Sequence, residues 1–246
     1  MKKYLKLLIC AAAASAMCMG VTAFAEFSDM PDGEMGEAMQ NAVDAGLIQG
    51  VSDTSIAPYD NITRAQMATI ITRAFSAQEN ADQSFNDVAS DAWYADAVSK
   101  AVAMGAFQGD DEGNFSPDNN ITFQETYAVI ARVFGFEPYE LKYSDGTTLM
   151  LGDCEDSVLD SFADKDEIAS WAYDSAKYVV GNGGWTGIDG LLKPTDYVTR
   201  GEFALLMDSI VTTYIDEPGT YTSLPDGLTM VRCGGVTIDG LNTNHN

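Results

Sequence analysis

The sequence predicts a mainly α-helical body: three helix–loop–helix repeats packed around a pseudo-threefold axis, followed by a short β-like tail. Three observations predict it. A Phe-x-Asp opening occurs as Phe27-Ser28-Asp29, Phe85-Asn86-Asp87 and Phe162-Ala163-Asp164. A threonine placed to start a helix follows each opening after 36 or 37 residues, at Thr63, Thr122 and Thr199. Behind each threonine runs the same apolar stripe. Self-similarity at a fixed period marks a repeat architecture.

The elements follow in chain order. Lys2, Lys3 and Lys6 precede an apolar run from Leu7 to Met19 that is too short to span a bilayer, and Ala23-Phe24-Ala25 has the small-x-small cleavage pattern. Residues 1–25 are therefore expected to be a signal peptide, and the rest a secreted chain with no membrane association once the signal is removed. Repeat one covers 26–80, repeat two 81–136, an acidic linker 137–161, repeat three 162–215 and a tail 216–246.

Each repeat opens with a helix, predicted over Glu34–Ala45, Asp91–Met104 and Ile168–Val180. Glycine stops these helices ahead of an apolar pair, in Gly46-Leu47-Ile48, Gly105-Ala106-Phe107 and Gly183-Gly184-Trp185. Trp93 and Trp171 fall on the second and third of these helices, and Glu34 holds the matching place in the first. Core packing and exposure beside a sugar are both open to these tryptophans. A loop with Pro58, Pro117 or Pro194 comes next.

The second helices start at Ile62-Thr63-Arg64-Ala65-Gln66, Ile121-Thr122-Phe123-Gln124-Glu125 and Val198-Thr199-Arg200-Gly201-Glu202. Threonine at the N-cap accepts from the third helical amide, and Gln or Glu at that position reaches back to the cap amide. The stripes behind these caps are Met67, Ile70, Ile71, Ala74, Phe75; then Thr126, Val129, Ile130, Val133, Phe134; then Phe203, Leu206, Met207, Ile210, Val211. Spacing of three and four puts each set on one helix face. No single repeat is large enough to bury that face alone, so the three are expected to fold as one body. Thr220–Asp239 alternates loosely around Pro225, Gly227, Gly234 and Gly235, a pattern of short strands.

Composition narrows the function. The chain carries 13 Lys+Arg against 37 Asp+Glu; loss of Lys2, Lys3 and Lys6 would leave 10 basic residues and a net charge of −27. Such a field repels nucleic acid and anionic lipid. At 46% hydrophobic residues the chain folds rather than remaining an acidic tail. Cys154 and Cys233, outside the signal, have the option of pairing but make neither a disulfide framework nor a metal site. The single histidine is His245. No cofactor or metal is expected: Asp110–Asn114 lacks the donor spacing of a calcium loop, and Gly181–Gly187 follows a helix and has no lysine for a phosphate.

Taken together, these repeats resemble the S-layer homology domain family. That family is marked by the Phe-x-Asp opening, a Trp-bearing first helix, a glycine-ended apolar step and an Ile-Thr-Arg-Ala-Glu helix start. The resemblance runs from Phe27 to about Val211. It implies a three-pronged spindle whose second helices form a central three-helix bundle. It also implies grooves between repeats that bind a secondary cell-wall polysaccharide, often one bearing pyruvate ketals, and hold the protein on the bacterial wall without a covalent bond. The expected role is a non-catalytic surface anchor. The alternative is a structural S-layer subunit whose repeats mediate protein–protein packing. An enzyme is not expected, because neither the linker nor the tail is long enough to build a cleft around paired carboxylates. The oligomeric state is not set by the sequence.

The residues expected at the ligand are Arg64 and Arg200, with Thr63, Thr199, Gln66 and Glu202 around the helix starts and Trp93 and Trp171 beside them. A helix N-terminus offers unpaired amides and partial positive charge, and a guanidinium there gives a carboxylate a bidentate partner. Pairing of these arginines with an acid of a neighbouring repeat is the open alternative. Repeat two has Phe123 in place of arginine, so its pocket is expected to fail and the repeat to serve as scaffold. Gly201 in repeat three is expected to cost about 1 kcal/mol of helix stability.

Overall fold

The computed structural model describes residues 27–142 and 146–238. The expected signal peptide, Asp239 and His245 lie outside the described residues. The chain is mainly helical with a small strand content. Its helices are α1 (Gly33–Asp44), α2 (Arg64–Ala74), α3 (Ala95–Ala103), α4 (Phe123–Phe134), α5 (Tyr173–Gly181) and α6 (Arg200–Ile210). The short strands are β1 (Tyr139–Lys142) and β2 (Thr148–Leu151) in the linker, and β3 (Val211–Ile215), β4 (Gly219–Tyr221), β5 (Leu228–Val231) and β6 (Val236–Ile238) in the tail.

All three capping boxes form. Thr63, Thr122 and Thr199 each accept from the third helical amide, while Gln66, Glu125 and Glu202 accept from the cap amide. The first and second helical amides, which a cap leaves orphaned, are bonded by the loop of another repeat. Arg64 and Ala65 donate to Asn119 and Pro117 of repeat two, Phe123 and Gln124 to Asp196 and Pro194 of repeat three, and Arg200 and Gly201 to Asp60 and Pro58 of repeat one. The residues just before the caps close a ring: Ile62 N donates to Val198 O (2.8 Å), Val198 N to Ile121 O (3.0 Å) and Ile121 N to Ile62 O (3.2 Å). Three antiparallel bridges, Asn61 with Thr199, Thr63 with Asn120 and Thr122 with Tyr197, complete the junction.

The helices interlock in the same cyclic sense. The main packed pairs are α3 on α2, α5 on α4 and α1 on α6, so each second helix is covered by a first helix from the next repeat. The second helices meet through side chains such as Phe75 and Phe134, whose ring centroids lie 5.1 Å apart. One contiguous core results, with Ile62, Met67, Ile71, Ile121, Ile130, Val198 and Phe203 excluded from solvent.

The Phe-x-Asp openings hold the proline loops. Asp29 accepts from Ile56 N, Ala57 N and Ser55 Oγ; Asp87 accepts from Phe115 N and Ser116 N; Asp164 accepts from Leu192 N and Lys193 N. Ala57, Ser116 and Lys193, each directly before the proline, have φ of 50°, 59° and 51°. A non-glycine residue held there is strained, and the aspartate bonds fix it. The opening phenylalanine rests on the glycine that ends each step: a β-carbon at Gly50, Gly109 or Gly187 would lie 2.5, 2.3 or 2.8 Å from Phe27, Phe85 or Phe162.

Three expectations are corrected: the starts of two first helices and the end of the third apolar stripe. The first helices of repeats two and three begin later than predicted: Asp91–Tyr94 and Ser170–Ala172 form turns, so Trp93 and Trp171 precede α3 and α5 instead of lying on them. Neither start carries a side-chain cap that would fix it locally. Val211 ends the third stripe as the first residue of β3, although it stays buried. Gly201 is a close-approach site, since a β-carbon there would lie 2.5 Å from Met35 Sδ and 3.1 Å from Pro58 O. Its helix cost is accepted so that repeat one can approach α6.

In the linker, β1 and β2 pair antiparallel. In the tail, β3 pairs parallel with β5 and β4 with β6. The tail is thus wound as two stacked rungs, β3–β4 and β5–β6. Arg232 fastens it: its guanidinium pairs with Asp216, donates to Ala45 O at 2.9 Å and lies over the Tyr214 ring. Cys154 and Cys233 are both free thiols.

Candidate binding grooves

The helix starts are closed as anion sites, because every amide that the sequence reading left unpaired is bonded to a neighbouring carbonyl or capping hydroxyl. Thr63, Thr199 and Glu202 belong to these caps, and Glu202 also pairs with Lys193 Nζ at 3.0 Å.

The arginines are partly spent in the same way. Arg64 Nε donates to Phe115 O (2.9 Å) and its Nη2 to Gln108 O (3.1 Å), with the Phe107 and Phe115 rings beneath the guanidinium. Arg200 Nε donates to Ile56 O (2.9 Å) and Nη2 to Gln49 O (2.7 Å). Each reaches across a seam and holds the glycine step and proline loop of the next repeat. Their partners are carbonyls, and no salt bridge to an acid forms among the described residues. Burial pushes both guanidinia below the usual arginine value, opposed by Glu125 and Asp87 near Arg64 and by Asp60 and Asp29 near Arg200. Both stay charged, given how high that value starts. Nη1 of each has no hydrogen-bond partner among the described residues.

Beside each seam lies a groove; the first two are built from all three repeats and the third from repeats three and one. Groove one, about 370 Å³, is lined by α2 residues including Gln66, Thr69 and Arg73, the step Leu47–Val51, Trp93 and Arg200. Groove two, about 200 Å³, has Glu125, Ala128 and Arg132 of α4, the step Ala106–Gln108, Trp171 and Arg64. Groove three, about 620 Å³, has Leu205 and Ser209 of α6, the step Trp185–Gly187, and Glu34 where the others have tryptophan.

Trp93 and Trp171 stand 66% and 58% exposed, which decides against a core role. The sequence reading missed Arg73 and Arg132. Arg73 Nη1 donates to Leu47 O and Nη2 to Gln49 Oε1, so in groove one two guanidinia converge on Gln49, one at its carbonyl and one at its amide. Arg132 Nη1 donates to Ala106 O. Both arginines stand ten residues after a capping threonine, a spacing that would have found them; Ser209 fills that place in repeat three.

Charge then separates the grooves. Groove one is lined by two arginines and no carboxylate, groove two by two arginines and Glu125. Groove three is lined by Glu34, Glu37, Asp189 and Asp208 without a cation. The groove that lacks guanidinium is therefore on repeat three, because Phe123 sits at the seam between repeats two and three. Phe123 is buried, and Tyr127 one turn later donates to Leu192 O at 2.6 Å, the carbonyl equivalent to Ile56 O and Phe115 O. The α4 helix of repeat two itself lines groove two.

Among the described residues no cluster of three or more His, Cys, Asp or Glu is arranged to hold a metal, and no helix is long and apolar enough to cross a membrane.

A model of the S-layer homology domain matches residues 26–68, 84–126 and 161–204, and the chain belongs to that family. It is similar to the surface-layer 125 kDa protein of Lysinibacillus sphaericus, 31% identical over 71% of this chain and 14% of the relative. It is also similar to exoglucanase XynX of Acetivibrio thermocellus, 26% identical over 74% and 16%. The amylopullulanase of Thermoanaerobacterium thermosulfurigenes is 26% identical over 74% and 9%. The chain thus spans less than a fifth of the length of these relatives.

Proposed function

We propose that this chain is a non-catalytic anchor at the bacterial cell surface, gripping an anionic secondary cell-wall polysaccharide that bears pyruvate ketals. Groove one is the principal site and groove two the weaker one. The interlocked repeats make up the three-pronged spindle that presents them. The observation that carries this reading is groove one itself, where a chain of net charge −24 gathers Arg73 and Arg200 at Gln49 beside an exposed tryptophan, with no acid among the lining residues. A guanidinium with unspent donors suits a ketal carboxylate, and an exposed indole offers an apolar face to a sugar ring. Relatives named as an exoglucanase and an amylopullulanase are matched over a small share of their length, in keeping with an anchoring part joined to unrelated chemistry.

A second reading, a surface-assembly subunit, draws on the surface-layer relative. Co-sedimentation with purified walls separates the two. Binding should fall when the secondary polymer is extracted, and undiminished binding to extracted walls overturns the polymer reading. Arg73→Ala should weaken sedimentation roughly ten- to a hundredfold, the loss expected of a charge-assisted hydrogen bond of about 1.5–3 kcal/mol.

A further inference from the structure

Groove one does not end at Arg73. A second cavity of about 470 Å³ adjoins it, and the two share Thr69, Arg73 and Trp93 as their common wall. The second cavity runs between the C-terminal end of α2 and the exposed side of α3, past Ser76, Gln78, Asp96 and Lys100, to Gly46 and Arg232. Both volumes fall in the ordinary range of small-ligand sites, roughly 300–1,000 Å³.

The far wall belongs to the tail and not to the repeats. Arg232 donates to Ala45 O next to Gly46, with its guanidinium fixed by Asp216 and Tyr214. Its donors are committed, so it walls the cavity and adds positive potential. The adaptable groups are on α2 and α3. Lys100 Nζ sits 2.7 Å from Asp96 Oδ2 in an i,i+4 pair whose acid is 65% exposed. Such a pair is worth about 1 kcal/mol or less, so a ligand anion or hydroxyl can exchange with the carboxylate at small cost. Gln78 Nε2 donates to Ser76 O at 2.8 Å, and the side chain lines the cavity. Together with groove one, this path carries Arg200, Arg73, Lys100 and Arg232 along one side of an otherwise acidic molecule.

We propose that the second cavity is an additional carbohydrate subsite, so that groove one takes a run of at least two consecutive sugars. The anionic residue sits at Arg73 and Arg200, the chain crosses Trp93, and the neighbouring sugar is held by Lys100 and Gln78. This rests on the polymer-binding reading above.

The test is isothermal titration of the full chain with two probes: a single monosaccharide bearing a pyruvate ketal, and oligosaccharides released from purified walls by enzymatic digestion, which leaves the acid-labile ketals in place. The wild-type chain should bind the oligosaccharides at least tenfold more tightly. Lys100→Ala should lose most of that advantage while leaving monosaccharide affinity unchanged. Asp96→Asn, which releases the ammonium, should increase the advantage, whereas a purely structural ion pair would make both variants weaker. Equal wild-type affinity for the two probes, or a Lys100→Ala loss of equal size for both, overturns the subsite and leaves the anchoring reading standing. Failure of the wild-type chain to bind either probe overturns both.

Discussion

At the scale of single residues, the most informative position is the one where the repeats differ. Arg64 and Arg200 each place a guanidinium on the carbonyl that precedes a left-handed residue in the next repeat. At the third seam Phe123 has no donor, and the work passes to Tyr127, four residues on and hence on the same helix face. Its hydroxyl donates to Leu192 O and accepts from Trp185 Nε1 at 3.2 Å. Burial raises the Tyr127 hydroxyl above the usual tyrosine range, so it remains a donor at any physiological pH. Tyr127→Phe strands a buried carbonyl and a buried indole N–H, and should cost about 1–3 kcal/mol, read from the urea midpoint.

Asp29 gives a pH signature at the same scale. Its bonds from Ser55, Ile56 and Ala57 hold the carboxyl at about 2, below its ordinary 3.8. A folded-state value below the unfolded one means that the stabilisation is complete above about pH 4 and is lost as pH falls toward 2. Asp29→Asn should therefore be less stable than the parent at neutral pH, with the difference shrinking between pH 4 and 2. A thermal-melt series across that window reads it directly; a constant difference would show that the charge on Asp29 plays no part.

At the scale of elements, what was legible in the sequence was what a few neighbouring residues decide. The capping boxes span four residues, so Thr63, Thr122 and Thr199 mark their helices without help from the rest of the fold. Gly135, at φ 64°, stops α4 where a glycine should. The first helices of repeats two and three have no such marker, and periodicity alone ran their starts back through Trp93 and Trp171. Likewise α6 has no stop glycine, and the apolar stripe continued across Ile210 into the strand at Val211. Trp93 and Trp171 could have been core or surface by pattern; only the turns that precede α3 and α5 turn them outward. The grooves were illegible for a deeper reason. Each takes its step and second helix from one repeat and its tryptophan or Glu34 from the next, and grooves one and two add an arginine from the one before, so no local window holds a whole site. Thr122→Ala should cost about 1 kcal/mol in the urea midpoint, with Thr122→Ser restoring most of it, since the hydroxyl oxygen is the part the helix uses.

At the scale of the whole molecule, the three repeats are not independent units in series. Repeat one caps the helix of repeat three, repeat two that of repeat one, and repeat three that of repeat two, and the ring through Ile62, Val198 and Ile121 ties all three at the centre. No repeat satisfies its own first and second helical amides. Cooperative unfolding of the repeats follows, and calorimetry should show one transition in which Ile62→Ala, opening a cavity at the ring, lowers the stability of the entire body by roughly 2–5 kcal/mol. A separate early transition confined to repeat one would contradict the interlock.

The cyclic capping also fixes an order of events. A chain leaving a ribosome or a translocation pore with its N-terminus first brings out Ile56, Pro58 and Asp60 long before Arg200 and Gly201 arrive to bond them. Groove one, which needs Trp93 from repeat two and Arg200 from repeat three, stays incomplete throughout the passage. The last repeat is the latch: groove one, and with it the grip proposed above, is complete only once Arg200 of repeat three has emerged.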